Sequence, residues 1–144
     1  MRRIEGWSPL NRYLIDSNII IYTIKGDEKA VAYMEQLYAD QSKDFLCSVI
    51  TEAELFSTTI SEQVQKNIEG VLSEAEIVEV SSDIARKAGE IRAKGYDKGY
   101  KIKLPDAIIA ATAIVENAIV VTNNMADFRK VSQIENLTVL NPME

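Results

Sequence analysis

Five short apolar segments punctuate the chain: RYLID (12–16), FLCSV (45–49), EIVEV (76–80), AIVVT (118–122) and LTVL (137–140). Each has the length of a buried strand and contains aliphatic residues, mostly β-branched. Stretches of helical periodicity separate them. NIIIYTI (18–24) reads as a short helix. In 28–40, Val31, Met34, Leu37 and Tyr38 share one face. TEAELFSTT opens a further helix, and 61–75 places Val64, Ile68, Val71 and Leu72 in register. Segment 81–95 has a serine cap and a glycine stop, and 105–117 begins with Pro105 in its first turn. Strands that alternate with helices are joined by crossovers, and crossovers make parallel sheets covered on both faces. The chain is therefore expected to form a three-layer α/β/α sandwich, class α/β. Its central parallel sheet should have four or five strands centred on 12–16. In such folds ligands gather beyond the carboxyl ends of the strands.

The 144 residues suffice for one domain with a real core, and 1–144 reads as a single unit. No apolar run approaches the ~20 residues of a membrane span. The first eleven residues, MRRIEGWSPLN, have no apolar region behind their arginines, so they read as an N-terminal arm or an upstream start rather than a secretory signal. A cytoplasmic location is expected, and the single cysteine, Cys47, agrees. The chain has no histidine. Ser-His-Asp and Cys-His catalysis and histidine-bound zinc are thereby excluded. A bound metal would take oxygen ligands, which favours Mg²⁺ or Mn²⁺.

Four acids fall where the strands should end. Asp16 closes the first, Glu54 lies in the helix after the second, Asp106 opens the helix before AIVVT, and Asp127 follows that strand. Each has an ordinary reading as a helix cap: Asp16 for 18–24, Thr51 with Glu54 as a capping box, Asp106 at a helix dipole, Asn124 with Asp127 as a cap. Serine, threonine or asparagine would serve as well in those places. Four carboxylates on one rim repel unless a cation lies between them.

The segments LIDSNIIIY, SVITEAELF, LPDAIIAATAI and TNNMADF, in this order and spacing, resemble the PIN-domain family, and within it the small bacterial VapC-type toxins. The resemblance covers about residues 12–142. It implies a PIN-like fold and a Mg²⁺- or Mn²⁺-dependent ribonuclease. It implies that Asp16, Glu54 and Asp106 form the core cluster, with Asp16 and Asp106 the first choices for direct ligation. Asp127, or Asn124 beside it, takes the fourth place, and Ser17 matches a hydroxyl that orients the first aspartate. Glu54 is preferred to Glu52 because Leu55 follows it. Two departures stand out: fifteen residues precede Asp16, and TNN stands where many relatives carry an aspartate. Such a site would act through a water activated by the metal, with a carboxylate orienting or deprotonating it.

The net charge of −6 argues against general nucleic-acid affinity. Its distribution is uneven, however. Residues 86–103 carry Arg86, Lys87, Arg92, Lys94, Lys98, Lys101 and Lys103 against Glu90 and Asp97, a net +5 against −11 for the rest. This run leads into Asp106. Arg92, Lys98, Lys101 and Lys103 are thus candidate contacts for an RNA backbone, with a solvated helix face as the ordinary reading. The resemblance further implies a cognate antitoxin that reaches the acidic site, where an arginine could replace the metal, and a homodimer. Tyr33, Leu37, Tyr38, Leu55 and Phe56 could line the antitoxin groove or simply pack the core. Three other readings stay open. A receiver-like signalling module binds Mg²⁺ but wants adjacent acids after the first strand, where this chain has DSN, and a lysine after the last. A haloacid-type phosphatase wants D-x-D, and Asn18 stands at its second position. A catalytically silent PIN fold used for binding is the third.

Overall fold

The structure is a computed structural model that describes residues 11–144; the suggested arm at 1–11 lies, except for Asn11, outside the described residues. The elements run β1 (Arg12–Ile15), α1 (Ser17–Ile24), α2 (Glu28–Ala39), β2 (Asp44–Ser48), α3 (Val49–Phe56), α4 (Glu62–Leu72), β3 (Glu76–Val78), α5 (Ser82–Asp97), α6 (Leu104–Val115), β4 (Ile119–Val121), α7 (Met125–Ser132) and β5 (Val139–Leu140). The five strands form one parallel sheet in the order β3-β2-β1-β4-β5. The expected α/β/α sandwich is present, with β1 at the centre.

Strand periodicity sorts the core into two layers. Leu14, Leu46 and Val120 point to one face and pack with Ile84, Ile91, Ala110 and Phe128 of α5, α6 and α7. Their neighbours Ile15, Phe45, Cys47 and Val121 point to the other face, against Ile19, Met34, Leu55 and Ile68 of α1 to α4. Helix α6 is buried through Ala107, Ala110, Ala111 and Ala113. Such small side chains let it lie close to the sheet and to α5.

Three local expectations are corrected. Helix α3 starts at Val49, with the Ser48 hydroxyl accepting from the Ile50 amide, so Thr51 and Glu54 make no capping box. Thr51 is instead fully buried. Helix α5 continues past Gly95 to Asp97, and Gly99 (φ +82°) ends it. There the Tyr100 amide reaches back to the Gly95 carbonyl at 2.8 Å and the Gly99 amide to Tyr96 at 3.0 Å, a Schellman closure. Gly95 itself is buried, and a Cβ there would meet Ile102 Cδ1 at 2.6 Å. Helix α7 was expected only as a cap at Asn124 and Asp127, with no helical period assigned to it.

Because all strands are parallel, Asp16, Ser48 and Thr122 leave the sheet on one rim. Arg12, at the opposite end of β1, ties the far rim. Its guanidinium contacts Asp44 at 2.9 Å, Glu116 at 2.9 Å and Glu76 at 3.6 Å, and donates to the Glu116 carbonyl.

Candidate active site

Asp16 lies between the end of β1 and the start of α1 and is 6% exposed. Its Oδ1 accepts from the Ser17 amide at 2.9 Å, so it does cap α1. Its Oδ2 accepts from the Thr122 hydroxyl at 2.8 Å and the Asn18 amide at 3.2 Å. Thr122, completely buried, also accepts from Asn18 and from the Asn124 backbone amide. Asn18 in turn accepts from the Asn123 amide at 2.9 Å. The carboxylate is therefore locked to the strand-end loop of β4. Burial raises its pKa, and the neighbouring Glu54 charge adds to this, while the bonds from Thr122, Ser17 and Asn18 work against it.

Ser17 behaves differently from expectation. Its amide, not its hydroxyl, holds Asp16, and the hydroxyl donates to Glu54 Oε1 at 3.2 Å. Glu54 extends from the second turn of α3, and its pKa is raised first by partial desolvation and then by the Asp106 charge. Glu52 makes no such contact; its charge is felt at Cys47, whose buried thiol is pushed up to about 12 and is inert.

Asp106 occupies the first turn of α6 and its pKa is raised to about 6. Desolvation is the largest cause, followed by the charges of Asp127 and Asp16, and Lys103 opposes them. Asp127 is held below the ordinary carboxylate range, chiefly by the Asn124 side-chain amide at 2.9 Å and then by Lys130 and Lys103. Asn124 precedes α7 but makes no side-chain cap bond, so the suggested N-x-x-D cap is absent. Its side-chain Nδ2 donates to Asp127 instead.

The four acids thus feel one another in a chain: Asp16 with Glu54, Glu54 with Asp106, and Asp106 with both Asp16 and Asp127. Among the described residues, no three of them close on one point tightly enough to enclose an ion alone. All-oxygen side chains spread along one rim suit a hydrated divalent cation held by one or two carboxylates together with substrate phosphate oxygens. The donors are all oxygen; the pKa values of Asp16, Glu54 and Asp106 are raised first by desolvation and further by neighbouring acids, whereas that of Asp127 is lowered.

The basic run divides. Lys87 and Lys94 both bridge Glu90 and Glu135 at 3.1–3.2 Å and stabilise α5 against the 133–136 turn. Arg92 donates Nε to the Ile102 carbonyl at 2.9 Å and pins the loop before α6. Lys98, Lys101 and Lys103 are exposed on that loop, and Lys103 lies close enough to influence Asp106 and Asp127. Of the suggested antitoxin-groove residues, Leu37 and Leu55 are core, Tyr33 is partly buried, and Tyr38 and Phe56 are each 39% exposed. No helix among the described residues is long and apolar enough to cross a membrane.

Two site residues escaped the sequence reading: Thr122, and Asn18 as its partner. The signal was present as the T-N-N sequence directly after an apolar strand, but its use depends on β4 lying beside β1.

Residues 13–134 match the family model of the PIN domain. The chain is 30% identical over 125 residues to Ribonuclease VapC2 of Rickettsia felis, covering 85% of this chain and 93% of that protein. Among solved structures, VapBC2 from Rickettsia felis bound to a promoter DNA fragment superposes with a TM-score of 0.78 at 32% identity, covering 90% of this chain and 98% of that one. A toxin–antitoxin complex from Klebsiella pneumoniae superposes with a TM-score of 0.73 at 30% identity, covering 92% and 98%.

Proposed function

The chain belongs to the PIN-domain family, and on that premise we propose that it is the ribonuclease toxin of a toxin–antitoxin pair, cutting RNA with a divalent cation, Mg²⁺ or Mn²⁺, held at Asp16 and Asp106. The observation that supports this best is the convergence of Asp16, Glu54, Asp106 and Asp127, which come from four separate segments, on one rim. Neither a receiver module nor a haloacid phosphatase accounts for it. The intact acids also speak against a silent fold. Its partners are the RNA substrate and a cognate antitoxin, as in the complexes that its structural neighbours form.

When bound, the divalent ion supplies stabilisation of the charge developing on the phosphate and lowers the pKa of water. The protein does the rest. Thr122, Asn18 and the Ser17 amide fix Asp16 and occupy both acceptor positions of Oδ2 and one of Oδ1, which leaves the second position of Oδ1 for a cation. Ser17 steadies Glu54, whose raised pKa suits it to orient or deprotonate the attacking water. Asn124 and Lys130 keep Asp127 ionised beside Asp106. Lys98, Lys101 and Lys103 contribute positive charge for the phosphate backbone; Arg92 holds the loop that carries them. Water oxygen bonds to phosphorus as Glu54 takes its proton, the bond to the 3′-oxygen breaks, and that oxygen takes up a proton from solvent.

The test is a cleavage assay on an unstructured RNA with Mg²⁺ or Mn²⁺, with excess EDTA, and with the Asp16→Asn protein. Cutting that needs both the ion and Asp16 is expected. Equal cutting in EDTA overturns the reading, as does full activity of the folded variant.

A further inference from the structure

The residues after β5 return to the rim that carries the acids. Parallel β5 ends beside β4, where the Thr122 amide donates to the Leu140 carbonyl at 3.0 Å. Asn141 then turns the chain. Its Oδ1 accepts from the Met143 amide at 3.0 Å, an Asx turn with the fixed φ of Pro142 at its centre. Met143 packs, partly buried, against the core layer of α1 to α4, and its carbonyl accepts from Lys29 Nζ of α2 at 3.1 Å. Because Met143 claims its oxygen, Asn141 offers its amide to the rim. Nδ2 donates to Asn123 Oδ1 at 3.0 Å, with Glu144 Oε1 farther away at 3.4 Å. The Asn123 backbone amide donates in turn to Asn18 Oδ1 at 2.9 Å. That bond orients Asn18 so that its Nδ2 faces Asp16 Oδ2 and Thr122 Oγ1, each at 3.2 Å. Two asparagine side chains, each set by a backbone amide at its oxygen, thus link the 141–143 turn to the buried carboxylate through Asn123.

We propose that Asn141 is a positioning residue of the site: it holds Asn123, and through Asn123 and Asn18 it fixes Asp16. Its effect on cleavage rests on the ribonuclease reading, whereas its effect on Asn18 and Asp16 does not. Outer partners of a ligating carboxylate set that carboxylate's direction, and a rotated Asn18 would withdraw one of the donors on Asp16 Oδ2. Asn123 is exposed, so water competes for its bond to Asn141. The link is therefore worth about one ordinary hydrogen bond, a factor of roughly five.

The experiment records side-chain amide NMR spectra of the metal-free protein, with Mn²⁺-dependent cleavage rates beside them. In Asn141→Ala the Asn18 side-chain resonances should shift and their protons exchange with water about fivefold faster. Cleavage should lose about fivefold in kcat at unchanged KM, because nothing that holds the RNA has changed. Asn123→Ala breaks the same bond from the other side and should shift Asn18 in the same way, and the double variant should be no worse than Asn123→Ala alone. Asn141→Asp should restore both readouts, since it keeps an oxygen for Met143 and Asn123 can turn its amide over to donate. Lys29→Met frees the turn from α2 without touching Asn141, and should match wild type in both. A thermal melt confirms that each variant is folded. Unmoved Asn18 resonances or a wild-type kcat in folded Asn141→Ala overturn the proposal. So does an equal loss in Lys29→Met, which would assign the effect to docking of the turn alone. Displaced Asn18 signals in Asn141→Ala, with no Mn²⁺-dependent cutting by the wild type, would instead refute the nuclease reading and leave this one standing.

Discussion

The Thr122 hydroxyl donates to Asp16 Oδ2 at 2.8 Å, across 106 residues of sequence and one strand of the sheet. Both side chains are buried, so neither can exchange the bond for water. Thr122→Val keeps the shape and removes the donor. It should cost about 1–3 kcal/mol of stability, because buried Asp16 loses one of its donors and the Asn124 amide loses its acceptor. It should also lower cleavage about 10- to 100-fold, as losing a ligand's supporting bond does. Thr122→Ser should restore both. Melts and cleavage rates measure this, and wild-type cleavage by a folded Thr122→Val protein would remove Thr122 from the site.

Asp106→Asn should reduce cleavage at least ~100-fold, because it removes charge needed to hold the divalent ion. Without metal the variant should be more stable than wild type at pH 7. The folded pKa of Asp106, about 6, exceeds its unfolded value, so ionisation in the folded state is disfavoured. After discounting for solvent screening the gain is about 1–2 kcal/mol, a few degrees in Tm. The gap should be full at pH 7, shrink as pH falls through about 6, and close only below pH 3.8, where wild-type Asp106 is protonated in both states. A variant that melts below wild type at pH 7 would show that Asp106 is not strained by its neighbours.

Divalent-ion binding should follow the same group. Below pH 6 the ion must displace a proton from Asp106, so calorimetric affinity for Mn²⁺ should fall about tenfold per pH unit there. Above pH 7 it should level off. A flat profile from pH 5 to 7 would mean that the ion binds elsewhere.

Arg12 offers a control on the opposite rim. Arg12→Ala leaves Asp44 and Glu116 facing each other without their cation and should cost about 2–3 kcal/mol. Activity per folded molecule should be unchanged. Loss of activity at full folding would mean that the two rims are coupled.

The sheet was readable because its strands are short, apolar and β-branched, and each is separated by a helical period. The acids were readable because Asp16, Glu54 and Asp106 sit inside distinctive motifs. Thr122 was not, since a threonine after Ile-Val-Val looks like one more strand residue until β4 is placed beside β1. The start of α3 was missed because Val49 and Ile50 continue the pattern of β2, and only the Ser48 cap separates them. Helix α7 buries only Phe128 and Val131, too few to show a period. Gly95 looked like a stop, whereas its missing side chain makes room for Ile102 and the stop falls at Gly99.

The central claim is that carboxylates and a divalent ion direct water at the phosphate, in a chain with no histidine to activate a 2′-hydroxyl. End-group analysis of a cleaved RNA oligonucleotide tests it most directly. The expected products carry a 5′-phosphate and a 3′-hydroxyl, and a 2′-deoxy substitution at the scissile nucleotide should still permit cutting. Products ending in a 2′,3′-cyclic phosphate would contradict the account.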